Sequence, residues 1–274
     1  MTLHQALHAT IALGLDRLDA QLLLLHVLGR QDGNRAWLLA HDEHELGQAE
    51  ATALMTLAQR RAAGEPLAYL TGRKEFYGLD LRVDARVLVP RPDTETLVDW
   101  TLELLRDVPQ AHVVDLGTGS GAIALALQHC HPDWLVTAVD ASPGALEVAR
   151  ANARRLRLGI QFMQGSWLQD QNGRFDAIVS NPPYIAAQDA HLAALVHEPA
   201  QALSSGADGL DDIRQIIAQA PSHLLPGGWL LLEHGYDQAH AVRTLLGQAG
   251  LEGAQSRRDL SGIERCSGAR MRVP

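Results

Sequence analysis

Cysteine is almost absent: Cys130 and Cys266 stand alone among 274 residues. With no CxxC pair and no spacing suited to a metal, they leave neither a disulfide framework nor a metal module to build on, and they suit a reducing cytosol. Proline is missing from Leu3 to Gly64, so nothing there interrupts helical periodicity. No apolar run approaches the roughly 18 residues that span a bilayer. The opening MTLHQALHAT lacks a basic stretch followed by an apolar core, so a soluble, cytoplasmic protein without a membrane partner is expected. Positive charge is in deficit. The 23 Lys and Arg against 32 Asp and Glu leave a net −9, which repels a polyanion and puts nucleic acid behind protein or small molecule as a partner. The histidines are scattered without ligand spacing, so no metal is expected. There is neither an internal repeat nor a low-complexity stretch.

What is present is a globular composition, 46% hydrophobic and 20% charged, in a chain long enough for a medium and a small domain. Leu15, Leu18, Leu22 and Leu25, then Leu54, Leu57 and Ala58, recur at helical spacing and predict a small helical bundle. One helix is expected over Ala49–Arg61, ending near Gly64 and Pro66, and a turn between Asp32 and Asn34. EFYGLDLRVDARVLVPRPDTE alternates apolar and polar residues around Gly78 and closes at Pro90 and Pro92, which reads as a β-hairpin linking two domains. Thr94–Leu105 returns to helical spacing. After Pro109, strand and helix alternate: AHVVDLG then AIALALQHC, WLVTAVDAS then GALEVARANARRL, IQFMQG, FDAIVSNPPY, a helix near Asp211–His223, and WLLLEHG. Such alternation implies an α/β fold with a mostly parallel sheet covered by helices on both faces. The tail from Gln238 offers a further helix and two antiparallel strands, around Gln255–Arg258 and Arg270–Val273. The expected domains are a helical one over 1–72, a hairpin linker over 73–95 and a catalytic α/β domain over 96–274.

The first strand of the sheet ends in Asp115-Leu116-Gly117-Thr118-Gly119-Ser120-Gly121 and enters a helix at Ala122. Ligands bind open α/β sheets at that carboxyl edge. Glycine there lets a nucleoside lie against the chain without meeting a Cβ, so Gly117, Gly119 and Gly121 are expected to form its floor. The GxGxG spacing differs from the GxGxxG that seats a pyrophosphate on a helix N-terminus. A tight strand-to-helix turn would need the same glycines. Asp140 ends the next strand, where an acidic residue can accept from two vicinal ribose hydroxyls, a geometry that suits NAD and S-adenosylmethionine equally. Asp140 could instead cap the following helix, although Ser142 is placed for that role. After the third strand, Ser166 and Trp167 could flank an adenine ring, or Trp167 could be core.

The fourth strand runs into Asn181-Pro182-Pro183-Tyr184. Two prolines stiffen the loop and remove two donors, leaving carbonyls as acceptors. A planar amide or aromatic amine attacks a methyl group poorly while its lone pair is conjugated. The Asn181 side-chain oxygen and the Pro182 carbonyl can each accept one N–H of such a group and favour a more tetrahedral nitrogen, with Tyr184 packing on the flat substrate. Catalysis is then alignment plus stabilisation of charge developing on nitrogen, without a nucleophile, metal or strong base. A rigid turn is the plain alternative.

With these motifs the chain resembles the HemK/PrmC family of protein-(glutamine-N(5)) methyltransferases. The resemblance spans nearly its whole length, through PLAYLTGRKEFYG (66–78), VLVPRPDTE (87–95), DLGTGSGAIALAL (115–127), VD (139–140), Trp167, SNPPYI (180–185), EP (198–199) and LLLEHG (230–235). It implies a Rossmann-like S-adenosylmethionine-dependent methyltransferase domain with a seven-stranded sheet behind an N-terminal helical substrate-recognition domain. It implies methylation of the Gly-Gly-Gln glutamine of class 1 peptide chain release factors, by a monomer with no direct nucleic-acid contact. Gly117, Thr118, Gly119, Ser120, Gly121, Asp140, Trp167 and Asn181 would hold S-adenosylmethionine, whose product is S-adenosylhomocysteine. Asn181, Pro182, Pro183 and Tyr184 would bind the glutamine, and Asn181, Pro182 and Tyr184 would be catalytic. One departure is Ser166, where family members often carry aspartate before the tryptophan. Arg91, Asp93 and Glu95 are expected to scaffold the linker, and Glu233 with His234 to be a satisfied structural pair.

Two substrates from the same chemistry compete: a ribosomal-protein glutamine, and a flipped adenine in nucleic acid, against which the net charge weighs. An NAD-dependent oxidoreductase would share the glycine loop and Asp140 but leaves NPPY unexplained. A non-catalytic binding module predicts that Asn181 is dispensable.

Overall fold

A computed structural model describes residues 1–30, 34–169 and 171–273, so the turn expected between Asp32 and Asn34 falls largely outside the described residues. The chain divides into two compact units, Met1–Arg73 and Lys74–Pro274.

The first unit is helical. Its helices are α1 (Leu3–Ala12), α2 (Arg17–Val27), α3 (Arg35–Ala40), α4 (Gln48–Ala62) and α5 (Leu67–Thr71). Thr2 and Gln5 form a reciprocal capping box at the start of α1, and the Asp16 side chain accepts from Asp19 N–H to open α2. Leu3, Leu23, Leu24, Leu38 and Leu54 meet in one apolar core, and that leucine-rich face holds these short helices together.

The second unit opens with a hairpin of β1 (Arg73–Phe76) and β2 (Leu79–Arg82). Its two-residue turn, Tyr77 and Gly78, has both φ values positive (51° and 74°), the geometry whose twist matches that of paired strands. A 3-10 turn, Pro92–Thr94, leads into α6 (Glu95–Leu104). Then come β3 (His112–Leu116), α7 (Ala122–Cys130), β4 (Leu135–Asp140), α8 (Pro143–Leu156), β5 (Gln161–Gln164), β6 (Phe175–Ser180), α9 (Asp211–His223), β7 (Leu224–Glu233), α10 (Ala239–Gln248), β8 (Glu252–Arg258) and β9 (Glu264–Arg270). The sheet order is β5-β4-β3-β6-β7-β9-β8. Six strands run in one direction, and β9 alone among the seven runs antiparallel, between β7 and β8. One face packs the hairpin, α6 and α7 around Trp100, Leu125 and Phe76. The other packs α9 and α10 around Ile213, Ile216 and Leu246.

The chain turns one way after β3 and the other way after β6, and these two strands are neighbours, so a crevice opens at their carboxyl ends. Ser180 Oγ donates to the Leu116 carbonyl at 2.7 Å and holds the two ends side by side.

The last strand lies earlier than its composition suggests, at Glu264–Arg270 instead of Arg270–Val273. Its interior, Cys266-Ser267-Gly268-Ala269, is small because large neighbours already fill the space: a Cβ on Gly268 would stand 2.4 Å from Leu231 Cδ2 and 3.1 Å from Trp100 Cη2.

Candidate active site

A cavity of about 260 Å³ opens at that crevice, lined among others by Gly117, Gly119, Asp140, Ser166, Trp167, Asn181 and Pro183. Beneath it, Asp115 at the end of β3 is wholly buried. Its Oδ2 accepts from the Thr118 hydroxyl at 2.6 Å and from Ala124 N–H at 3.2 Å, tying the glycine loop to the first turn of α7. Burial pushes this carboxyl up to about 7, against those two hydrogen bonds. Thr118 thus faces inward, and Ser120 is buried as well, its carbonyl accepting from Asn152 Nδ2 at 2.9 Å. Gly121 does not line the cavity either, since a Cβ there would meet Leu125 Cδ1 at 2.9 Å and Ala149 Cβ at 3.3 Å; it lets α7 pack on α8. Of the three glycines, Gly117 and Gly119 form the floor.

Trp167 lies over Gly117, whose Cβ, if it had one, would sit 3.3 Å from the indole. Trp167 itself has φ +54°, an uncommon conformation for a bulky residue, held by packing of its ring against the α9 face. Ser142 caps α8 through Ala145 N–H. Asp140 takes a different part: Oδ2 accepts from Gly119 N–H at 2.9 Å and Oδ1 from Ser142 N–H at 2.8 Å. Each oxygen keeps a further lone pair, and the residue lines the cavity. Burial raises the Asp140 carboxyl above its ordinary range.

A second, smaller cavity is lined by Leu88, Arg91, Asn181, Pro182, Tyr184, Ile185 and Leu195. Asn181 borders both. Its Nδ2 donates to Thr94 Oγ1 at 3.1 Å, which leaves Oδ1 as the free end of the amide. The Tyr184 carbonyl accepts from Gln238 Nε2 at 3.0 Å, and the Tyr184 hydroxyl donates to Glu233 Oε1 at 3.3 Å.

The stretch expected to act as linker also borders the site, for Leu88 lines both cavities. Arg91, Asp93 and Glu95 each fasten to a different element. Arg91 pairs with the buried Glu198, which also accepts from Val89 N–H at 3.0 Å. Asp93 lies 3.7 Å from Arg265, and Glu95 accepts from Tyr77 N–H at 3.0 Å. Glu198 thus fastens the stretch before α6 to the segment after β6, a role visible in the sequence only as an EP dipeptide. His234 is satisfied by Ser267 and by the Gly235 carbonyl. Glu233 is not its partner and turns toward Tyr184 instead, with Oε2 left without a hydrogen-bond partner among the described residues.

The strand order, with one antiparallel strand inserted next to the edge, is that of S-adenosylmethionine-dependent methyltransferases of Rossmann-like fold. Residues 96–210 match the family model described as methyltransferase small domain, and residues 3–72 the one described as PrmC N-terminal domain. Among solved structures, the hMettl16 catalytic domain in complex with MAT2A 3'UTR hairpin 1 matches at TM-score 0.61 and 15% identity, over 92% of this chain and 93% of that one. The T. Thermophilus 16S rRNA methyltransferase RsmC, in complex with AdoMet and guanosine, matches at TM-score 0.54 and 20% identity, over 73% of this chain and 50% of that one. At such identities the likeness is one of fold. Curated relatives go further: the release factor glutamine methyltransferase of Bordetella pertussis is 51% identical over 93% of this chain and 95% of its own length. That of Coxiella burnetii is 46% identical over 93% and 91%. The chain belongs to the HemK/PrmC family of release factor glutamine methyltransferases.

Proposed function

We infer that this chain transfers the methyl group of S-adenosylmethionine to the side-chain amide nitrogen of the glutamine in the Gly-Gly-Gln motif of class 1 peptide chain release factors. The observation that carries this reading is the position of Asn181 in the lining of two cavities, one suited to a nucleoside and one bounded by Pro182 and Tyr184.

The larger cavity fits the cofactor. Gly117 and Gly119 leave room for a nucleoside against the backbone, Trp167 offers an aromatic face, and both Asp140 oxygens retain lone pairs for ribose hydroxyls. Thr118, Ser120 and Gly121 shape the loop from behind. Bound S-adenosylmethionine supplies a methyl carbon activated by a sulfonium leaving group.

Everything else falls to the protein. Thr94 holds the Asn181 amide with its nitrogen inward, so Oδ1 accepts one N–H of the substrate glutamine. The Pro182 carbonyl accepts the other, and neither Pro182 nor Pro183 has an N–H to compete for the substrate oxygen. Two acceptors on one NH2 group draw its lone pair out of conjugation and aim it at the methyl carbon. Tyr184 packs beside the planar amide. Arg91, pinned by Glu198, edges the smaller cavity, where the substrate backbone enters.

The helical unit Met1–Arg73 is the part that recognises the release factor, because a single glutamine offers little specificity. The protein acts as a cytoplasmic monomer without direct nucleic-acid contact; among the described residues no helix is long and apolar enough to cross a membrane. The test is transfer of labelled methyl from S-adenosylmethionine to a purified release factor, beside the same factor with the Gly-Gly-Gln glutamine replaced. Label on the unaltered factor alone is the expected result. Equal label on both would move the substrate elsewhere, to a ribosomal protein or an adenine.

A further inference from the structure

The connection between β6 and α9, residues 181–210, supplies walls to both cavities: Asn181, Pro183 and Pro199 line the larger, and Asn181, Pro182, Tyr184 and Leu195 the smaller. Its opening stretch has little with which to hold itself. Pro182 and Pro183 carry no N–H, and the Pro182 carbonyl is assigned to the substrate. On the β6 side, Ser180 is fastened to Leu116 and Asn181 to Thr94. Ile185 pairs with Leu203 and Ser205, but these belong to the same connection and tie it only to itself. The Tyr184 hydroxyl reaches Glu233 at 3.3 Å, long for a bond between two oxygens. The Tyr184 side therefore needs a fastening of its own, or the Pro182 carbonyl has no fixed direction.

Gln238 meets that need. Its Nε2 donates to the Tyr184 carbonyl at 3.0 Å and to the Asp208 carbonyl at 3.2 Å, one near each end of the connection. Its Oε1 accepts from Gly235 N–H at 2.8 Å, just beyond β7. Each hydrogen of the amide nitrogen thus has its acceptor. The amide cannot be turned round, since Gly235 offers a hydrogen while Tyr184 and Asp208 offer only carbonyls.

The chain closes tightly on this junction. Gly209 has φ +78°, and a Cβ there would stand 2.2 Å from the Tyr184 carbonyl oxygen and 2.8 Å from Gln238 Nε2. The anchor is firm as well. Gly235 follows the buried His234, whose Nδ1 lies 2.9 Å from the Gly235 carbonyl and whose Nε2 lies 2.7 Å from Ser267 Oγ on β9. Gln238 stands at the N-cap of α10, where Ser, Thr, Asp and Asn are preferred because their short side chains reach the first turn. Its side chain makes no cap bond there and reaches back to the loop instead.

We propose that Gln238 is a positioning residue for methyl transfer: its amide clamps the two ends of the 181–210 connection to the end of β7, and so fixes the Tyr184 end of the loop whose Pro182 carbonyl aims the substrate nitrogen. It lines neither cavity and touches no substrate. The proposal rests on the methyl-transfer reading of the site.

The experiment is steady-state methyl transfer from S-adenosylmethionine to purified release factor by the unaltered chain, Gln238→Glu and Gln238→Met. Competent molecules are counted by calorimetric binding of S-adenosylmethionine, and Tm is measured beside it. Gln238→Glu keeps the size of the side chain and the acceptor for Gly235, but sets a carboxylate oxygen against the two carbonyls in place of the donor. In both variants kcat per cofactor-binding molecule is expected to fall about tenfold to a hundredfold, the loss that a small misplacement of a reacting group brings. The KM for S-adenosylmethionine should stay within about threefold, because Gly117, Gly119, Asp140 and Trp167 lie outside the connection. A merely structural part would lower Tm and leave kcat per binding molecule unchanged. A kcat within about twofold of the unaltered chain in Gln238→Glu overturns the positioning role, and so does a loss confined to the KM for S-adenosylmethionine. If Gln238→Glu fails to fold, Gln238→Met, which removes the donor without adding charge, decides by the same two readings. No transfer by the unaltered chain overturns the methyl-transfer reading and this proposal with it.

Discussion

Among single residues, Asn181 and Gly117 carry the plainest consequences. Asn181 borders both cavities, and its free oxygen is the acceptor assigned to the substrate amide. Asn181→Ala should lower kcat by roughly 10²–10³-fold, the usual loss for one preorganised polar contact in a transition state, while calorimetry still detects S-adenosylmethionine binding. Unchanged turnover would leave the loop a structural turn. At Gly117 two effects coincide, a φ of +70° and the indole of Trp167 at 3.3 Å from an added Cβ. Gly117→Ala should weaken S-adenosylmethionine binding by about tenfold or more through backbone strain and a displaced tryptophan. A dissociation constant equal to that of the unaltered chain would refute the floor assigned to this loop.

Secondary-structure elements are joined at the site by residues that no motif announces. Asn152, on α8, donates to the carbonyls of Arg82 and Ser120 at 2.9 Å and accepts from Arg82 N–H at 2.8 Å. One buried amide thereby ties the hairpin to the glycine loop. Asn152→Ala leaves three backbone groups without that partner and should destabilise the protein by about 2–3 kcal/mol in urea unfolding. At the far side of the sheet, β9 admits no side chain at Gly268, where Leu231 and the Leu230 carbonyl stand within 2.4 and 2.7 Å of the added Cβ. Gly268→Ala should cost about 1–3 kcal/mol by overpacking.

For the molecule as a whole, charge and domain division set the expectations. Asp115 and Glu233 hold their protons to about 7 in the folded state, while their ordinary values are 3.8 and 4.5. Between about pH 4 and 7 the folded chain thus binds more protons than the unfolded one, so these two contributions to stability decline as pH rises through that window. Glu233→Gln should flatten the fall of Tm between pH 5 and 8 by a few degrees in a thermal melt; an unchanged slope would place the carboxyl's titration elsewhere. The helical unit has its own core, and the cavities lie within the second unit. Deleting residues 1–70 should therefore spare S-adenosylmethionine binding and abolish methylation of an intact release factor, which filter binding and label transfer would check.

Local chemistry alone determined much of this protein. Apolar strands ending in GTGSG, in Asp140 and in NPPY announce an α/β sheet with a nucleoside site and an amide-holding loop, because glycine freedom, proline stiffness and short apolar runs act over a few residues. The same holds for α9, whose helical period matches Asp211–His223. Contacts between distant segments were decided only in the tertiary structure. Which glycines face the cavity depends on whether α8 or Trp167 lies opposite, and that is a property of packing. The small residues of β9 make sense only beside Trp100 and Leu231. Glu198 and Glu233 read as ordinary charges in the chain, and what each does follows from Arg91 and Val89 in one case and from Thr94 and Tyr184 in the other. These partners are separated by some 50 to 140 positions and meet only when the sheet and its connections have formed, a long-range arrangement that no local pattern of residues encodes.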